Sequence, residues 1–248
     1  MVPGRPLGST ASARAFVDLH AHTSASFDSI ASPESVVRAA AERGLTHLAI
    51  TDHDRIEGAV AARDIARAAA PELTVIVGQE VKTRDGDIIG VFLERDVPSD
   101  LPPAEAIAEI HAQGGLVGIP HPFDRFRGSL LDDKLLASLA PLVDWVETHN
   151  ARIMVGNGNE QAAAFALAHD LPGVAVSDAH SAMEIGVAYV AIDGDPSTPE
   201  GLLAALPGVE LVAGRATFFV RMVTPIAKLV QIVRGNGRKG NGRKAIVR

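Results

Sequence analysis

Ala15-Phe16-Val17-Asp18-Leu19-His20-Ala21-His22-Thr23 is a short apolar run that ends in two histidines one residue apart. An apolar run of this length reads as a buried strand. Side chains at i and i+2 of an extended segment point to one face, so His20 and His22 are set to share a cation while Ala21 packs away. A helix is expected next, from Pro33 to Arg43, with Ser32 as its cap, Pro33 in its first turn and Gly44 as its stop. His47 to Thr51 reads as the second strand. Asp54 and Glu57 have capping-box spacing and open a helix to about Ala70, after which Thr74 to Gly78 is a third strand.

The unit repeats along the chain. Ile88 to Leu93, Leu116 to Pro120, Trp145 to Thr148, Val174 to Ser177, Ala188 to Ile192 and Val209 to Val212 read as strands. Helical segments at Pro103 to Gln113, Leu130 to Leu139, Asn159 to His169 and Pro199 to Ala205 separate them. Regular alternation without an interdomain linker before Gly235 predicts one α/β barrel with parallel strands. The expected layout is a leader over 1–14, a single domain over 15–221 and a C-terminal extension over 222–248.

Composition agrees with a packed domain and narrows the chemistry. The chain has 248 residues, 47% of them hydrophobic and 21% charged, which is ordinary for a globular protein. No apolar run is long enough to cross a bilayer and the first residues lack a signal-peptide core, so a cytoplasmic location is expected. The absence of cysteine excludes disulfides, thiolate metal sites and cysteine nucleophiles. Six of the 23 basic residues lie in 234–248 with no acid among them, leaving 17 basic against 30 acidic residues in the body. Such a tail is expected to be disordered; it reads as solubilising, or as a weak contact with nucleic acid or another polyanion.

In a barrel the reactive residues sit at the carboxyl ends of the strands. The runs here end in Asp18-Leu19-His20-Ala21-His22, Thr51-Asp52-His53-Asp54, Gly78-Gln79-Glu80, Pro120-His121-Pro122, Glu147-Thr148-His149-Asn150 and Ser177-Asp178-Ala179-His180. Five of the nine histidines fall in four of these patches that also hold carboxylates. One His-x-His is a weak signal, but His20, His22, His53, Glu80, His121, Asp178 and His180 together, all at strand ends, point to a metal centre. Nitrogen and oxygen donors without sulfur suit manganese, iron or zinc.

These motifs, in this order, resemble the polymerase and histidinol phosphatase (PHP) superfamily of metal-dependent phosphoesterases, over about Phe16 to Arg221. The resemblance implies a distorted seven-stranded (β/α) barrel with two or three divalent metal ions in its mouth. It assigns His20, His22, Glu80 and Asp178 to one ion, Asp28, His53 and His180 to a second, and Glu80 and His121 to a third. Asp28 stands where some members carry histidine and others a carboxylate, and Asp87 where a third-metal histidine is often found; both are candidate oxygen ligands, Asp87 reading alternatively as a turn carboxylate before the strand at Ile88. Asp18 and Asp52 flank ligating histidines and are candidates to accept an imidazole N–H. Glu147 and Asn150 match a family pattern beside the metals, and His149 is expected at the pocket wall. His47, which precedes a strand, and His111 and His169, on helices, are not taken as ligands.

Metal-activated water then replaces a protein nucleophile, in keeping with the absence of a Gly-x-Ser-x-Gly elbow and of a Walker-type loop. Asp178 and His180 are the catalytic candidates, with His180 as a proton donor to the leaving alcohol. Arg125, Arg127 and Arg152 follow strand ends and are candidates for binding phosphate, and Phe123 and Phe126 for stacking on a base. The expected substrate class is a phosphate ester of a nucleotide or of a nucleic-acid 5′-end, with histidinol phosphate as the alternative enzyme substrate. A metal-binding module without turnover is the alternative of another class, and the intact ligand set argues against it. A hydrolase of C–N bonds would show a strand-end lysine of a kind absent here.

Overall fold

The computed structural model describes residues 14–124, 129, 132–153, 155–216 and 223–236. Arg125, Phe126, Arg127, Arg221, the leader before residue 14 and the tail after residue 236 lie outside them. The strands are β1 (Arg14–Asp18), β2 (His47–Ile50), β3 (Thr74–Lys82), β4 (Asp87–Val91), β5 (Leu116–Ile119), β6 (Trp145–Asn150), β7 (Gly173–Val176), β8 (Tyr189–Asp193) and β9 (Glu210–Val212). The helices are α1 (Pro33–Glu42), α2 (Glu57–Ala69), α3 (Pro103–His111), α4 (Asp133–Leu139), α5 (Gly158–Ala168), α6 (Pro199–Ala205) and α7 (Val223–Val233).

One sheet joins the described strands in the order β7-β6-β5-β4-β3-β2-β1-β8-β9. Its far side returns, with β7 against β8 and β9, to give a nearly closed, distorted α/β barrel. β2 is buried along its whole length, as a strand covered on both faces must be. β1 pairs parallel with β2, β2 with β3, β5 with β6 and β6 with β7, as the repeating unit predicts. β4 differs, because it runs antiparallel to both β3 and β5. Only Thr83 to Gly86 separate it from β3, and a connection that short makes a hairpin, whereas a parallel crossover needs about a dozen residues. β8 is also antiparallel, to β1 and β9.

Local chemistry explains most boundaries. Ser32 Oγ accepts from Ser35 N at 3.3 Å with Pro33 at the first position of α1, and Gly44 closes the helix at φ 74°. The start of α2 departs from its expected capping box: Asp54 has φ 59° and its carboxylate accepts from Lys82 N at 2.9 Å across β3. The helix begins at Glu57 instead, with Ile56 N donating to Asp96 Oδ1 at 2.8 Å. Trp145 is fully buried, and the barrel admits it because a Cβ on Gly118 would overlap the indole. No helix among the described residues is long and apolar enough to cross a membrane.

Candidate metal centre

The carboxyl ends of β1, β2, β3, β5, β6 and β7 converge at one end of the barrel. Past the strands the chain stays in register: His22 N donates to Ala179 O at 2.8 Å, Thr51 N to Ala21 O at 2.8 Å and Asp54 N to Glu80 O at 3.0 Å. This lacing brings His20, His22, Asp28, His53, Glu80, Asp87, His121, Asp178 and His180 together, every one of them buried. His121 at φ 29° and Asp178 at φ 51° occupy the left-handed region, which costs an L residue energy and is sustained only where the surroundings impose it.

Four of the imidazoles share one arrangement, and His53 instead turns Nδ1 toward Glu80 Oε2 at 3.2 Å. Nδ1 of His20 lies 2.6 Å from Glu147 Oε1, that of His22 3.1 Å from Ser26 Oγ, that of His121 2.9 Å from Ser129 Oγ and that of His180 2.9 Å from Asp178 O. With Nδ1 engaged outward, each Nε2 turns inward, the tautomer a ligating histidine needs. The Nε2 atoms of His20 and His22 are 3.0 Å apart, each is 3.4 Å from Glu80 Oε2, and each is 3.6 Å from Asp178 Oδ1. His121 Nε2 is 3.3 Å from Glu80 Oε1. Asp28 Oδ2 lies 3.4 Å from His53 Nε2 and 3.3 Å from His180 Nε2.

Three sets of donor atoms lie within 4.8 Å of one another, from His20, His22 and Asp178; from His22, His53 and His180; and from His53, Glu80 and Asp87. These residues fit divalent cations. Asp28 Oδ1 is buried and finds no hydrogen-bond partner among the described residues, a position that costs free energy unless a cation takes it up.

Electrostatics point the same way. Burial works to raise the carboxyls of Asp28 and Glu80, but facing histidines outweigh it and hold both well below the usual carboxylate range. Burial, together with the positive field of its neighbours His180, His53 and His20, lowers His22 well below the usual imidazole value. His180 falls to about 3 through burial and the nearby Arg152 guanidinium. Burial lowers His20 too, yet Glu147 and Glu80 overcome it and carry the ring up to about 10. Ionised carboxylates and neutral rings are the ligand states a cation needs, and the proton drawn to His20 is what it would replace.

Several residues take parts other than those expected. Asp18 and Asp52 do not accept an imidazole N–H. Asp18 accepts from the backbone N–H groups of Ser177 at 3.1 Å and Gly186 at 3.1 Å, and Asp52 from the amide and hydroxyl of Thr23, both at 2.6 Å. Both carboxyls are raised by burial to about 6 despite these bonds, so they fasten loops and leave the imidazole of His20 to Glu147. Glu147 also accepts from His121 N at 2.9 Å and from Asn150 Nδ2 at 2.8 Å, and Asn150 Nδ2 reaches Asp178 Oδ2 at 3.0 Å. His149 turns aside at the irregularity in β6 and bonds Gly214 O at 2.7 Å. Arg152 lies beside Asp178 but is buried, with Nη2 on Thr224 Oγ1 at 2.7 Å and Nη1 3.8 Å from Glu184 Oε1; its fork grips the protein rather than open space. Phe123 meets Phe165 edge-on at 6.3 Å.

Ser26, Ser129 and Glu184 escape the sequence reading. Ser26 Oγ also accepts from His53 N at 2.9 Å, and Glu184 Oε2 accepts from His180 N at 3.1 Å. Serines in loops carry no spacing signal, so only the fold reveals these roles.

Comparison with known proteins places this geometry. A model of the PHP domain matches residues 18–100, and a PHP-associated model matches residues 156–207. An uncharacterized protein of Methanocaldococcus jannaschii is 36% identical over 54% of this chain and 81% of its own length. The 5'-3' exoribonuclease Rnm of Salmonella typhimurium is 42% identical over 27% of this chain, which spans 22% of that enzyme. Among solved structures, a two-domain protein of Bacteroides vulgatus containing a predicted PHP-like metal-dependent phosphoesterase superposes with a TM-score of 0.69. That likeness covers 83% of this chain and 66% of the other at 16% identity, and it is one of fold.

Proposed function

The chain belongs to the PHP family of metal-dependent phosphoesterases, and from that premise we propose that it hydrolyses phosphate esters of nucleotides or of nucleic-acid 5′-ends. The observation that carries a hydrolytic role is the convergence of inward Nε2 atoms on ionised Glu80 and Asp28, with Asp178 beside them, in one buried cluster. The nucleic-acid class is supported by the stretch shared with the Salmonella exoribonuclease.

His20, His22, Glu80 and Asp178 would hold one ion, Asp28, His53 and His180 a second, and Glu80 and His121 a third with Asp87 near it. When bound, such ions acidify a water and neutralise phosphate oxygens. The protein's own part is to hold the ligands. Glu147 fixes the tautomer of His20 and, through Asn150, the carboxylate of Asp178. Asp178 is assigned to both ligation and catalysis, as its carboxylate stands beside His20, His22 and His180 at once. His180 fits ligation better than proton donation, because its Nδ1–H is given to Asp178 O and its Nε2 faces Asp28. Burial of the site excludes bulk water from the reacting centre.

The test is phosphate release, with added manganese, from nucleoside 5′- and 3′,5′-phosphates, 5′-phosphorylated oligonucleotides and histidinol phosphate, with Asp178→Ala as control. Turnover of nucleotide substrates that Asp178→Ala abolishes is expected. Preference for histidinol phosphate would replace the substrate class, and no turnover of any ester with metal bound would leave a binding module.

A further inference from the structure

α7 presents the wrong face to the barrel for a helix held by apolar packing. Ile226, Leu229 and Ile232 are exposed at 59%, 64% and 63%, while the buried residues among those described are Ala227 and Gln231, one turn apart. An amide turned inward at 1% exposure must find partners there or cost free energy. Gln231 finds three: Nε2 lies 2.8 Å from Ser24 O, 3.0 Å from Ser26 O and 2.6 Å from Ser29 O. Its Oε1 is 3.4 Å from Asn236 Nδ2, which itself donates to Ala25 O at 3.1 Å.

Those carbonyls line the loop that carries Asp28. Ser26 and Ser29 bracket it, and Ser29 Oγ continues the bracing to His180 O at 3.0 Å. Lys228 adds a contact above the Phe27 ring at 5.5 Å, and that ring lies 4.8 Å from the ring of His53. We infer that Gln231 is a positioning residue: it gathers the Ser24, Ser26 and Ser29 carbonyls so that the Asp28 carboxylate meets the cation it shares with His53 and His180. A ligand on a loop needs such support, since loops are otherwise the mobile part of a fold. The inference rests on the metal-centre reading above.

The test is titration of the full metal-free chain with Co²⁺, read by binding stoichiometry, affinity and the visible absorption of the bound ion. Asp28→Asn and Gln231→Met are each expected to weaken one site by about tenfold and to alter its spectrum, leaving the remaining binding intact. The double variant should show no further loss, because both changes act on one ligand. Gln231→Lys, which keeps N–H donors on a long side chain, should recover most of the affinity. A Gln231→Met protein that titrates like the parent while Asp28→Asn is impaired overturns the inference and spares the metal centre. Equal losses in the Met and Lys variants also overturn it. Should the Met variant not fold, the Lys variant decides alone, parental cobalt binding supporting the inference and a tenfold loss ending it. A parent chain that binds no Co²⁺ removes the metal centre itself, and an Asp28→Asn protein that binds it unchanged removes Asp28 from the ligands and the inference with it.

Discussion

At the scale of the residue, what separates a ligand from its neighbour is which atom of a side chain is already spoken for. The His-x-His spacing and the strand-end positions make His20, His22, His53, His121 and His180 legible as candidates. They do not reveal that Nδ1 is committed outward in four of them, nor that Glu147 rather than Asp18 orients His20. Asp52 is adjacent to His53, and extended backbone carries adjacent side chains to opposite faces, whereas Asp18, two residues before His20, is taken up by the amides of Ser177 and Gly186. Replacing His20 or Asp178 by alanine is expected to abolish turnover with the circular dichroism spectrum retained. Glu147→Gln keeps the shape of the orienting side chain but removes its charge, so cation affinity measured by equilibrium dialysis should fall about 10- to 100-fold.

At the scale of the element, the helices and strands follow from their caps and apolar runs wherever the signal is local. α1 does so, through Ser32, Pro33 and Gly44. α2 does not, because Asp54 is drawn across to Lys82 N and abandons the helix that its spacing to Glu57 predicts. The direction of β4 follows from the length of the turn before it, and α7 carries Ile226, Leu229 and Val233 at helical spacing yet leaves that apolar side exposed, an orientation that periodicity alone does not predict. α2 is also held close to the site: a Cβ on Gly58 would overlap the Asp52 carboxylate and the Thr23 hydroxyl. Gly58→Ala should therefore destabilise the protein by about 1–3 kcal/mol, the usual range for overpacking a filled interior. A lowered thermal midpoint checks this, and an unchanged midpoint would mean the helix simply slides.

At the scale of the whole molecule, the barrel assembles ionised Asp28 and Glu80 beside Asp178 in a buried space, a concentration of charge that binding a cation relieves. Manganese is expected to raise the thermal midpoint and a chelator to lower it, since a ligand that binds only the folded state stabilises it by mass action. The sign with pH follows from the rings. His20 sits near 10 without a cation and must release its proton to ligate, so cation binding tightens as pH rises and the stabilisation by manganese shrinks as pH falls. Calorimetric midpoints with and without manganese across pH would show this divergence. The α/β class, the strand ends that carry chemistry and the residue types gathered there are legible in the order of amino acids, because apolar runs, caps and the His-x-His spacing act over a few residues. The antiparallel β4, the partners that orient the imidazoles and the clasp of Gln231 on the Asp28 loop arise in the folded chain. Those depend on atoms far apart in the chain, such as Gln231 and Ser24, whose meeting no local pattern encodes.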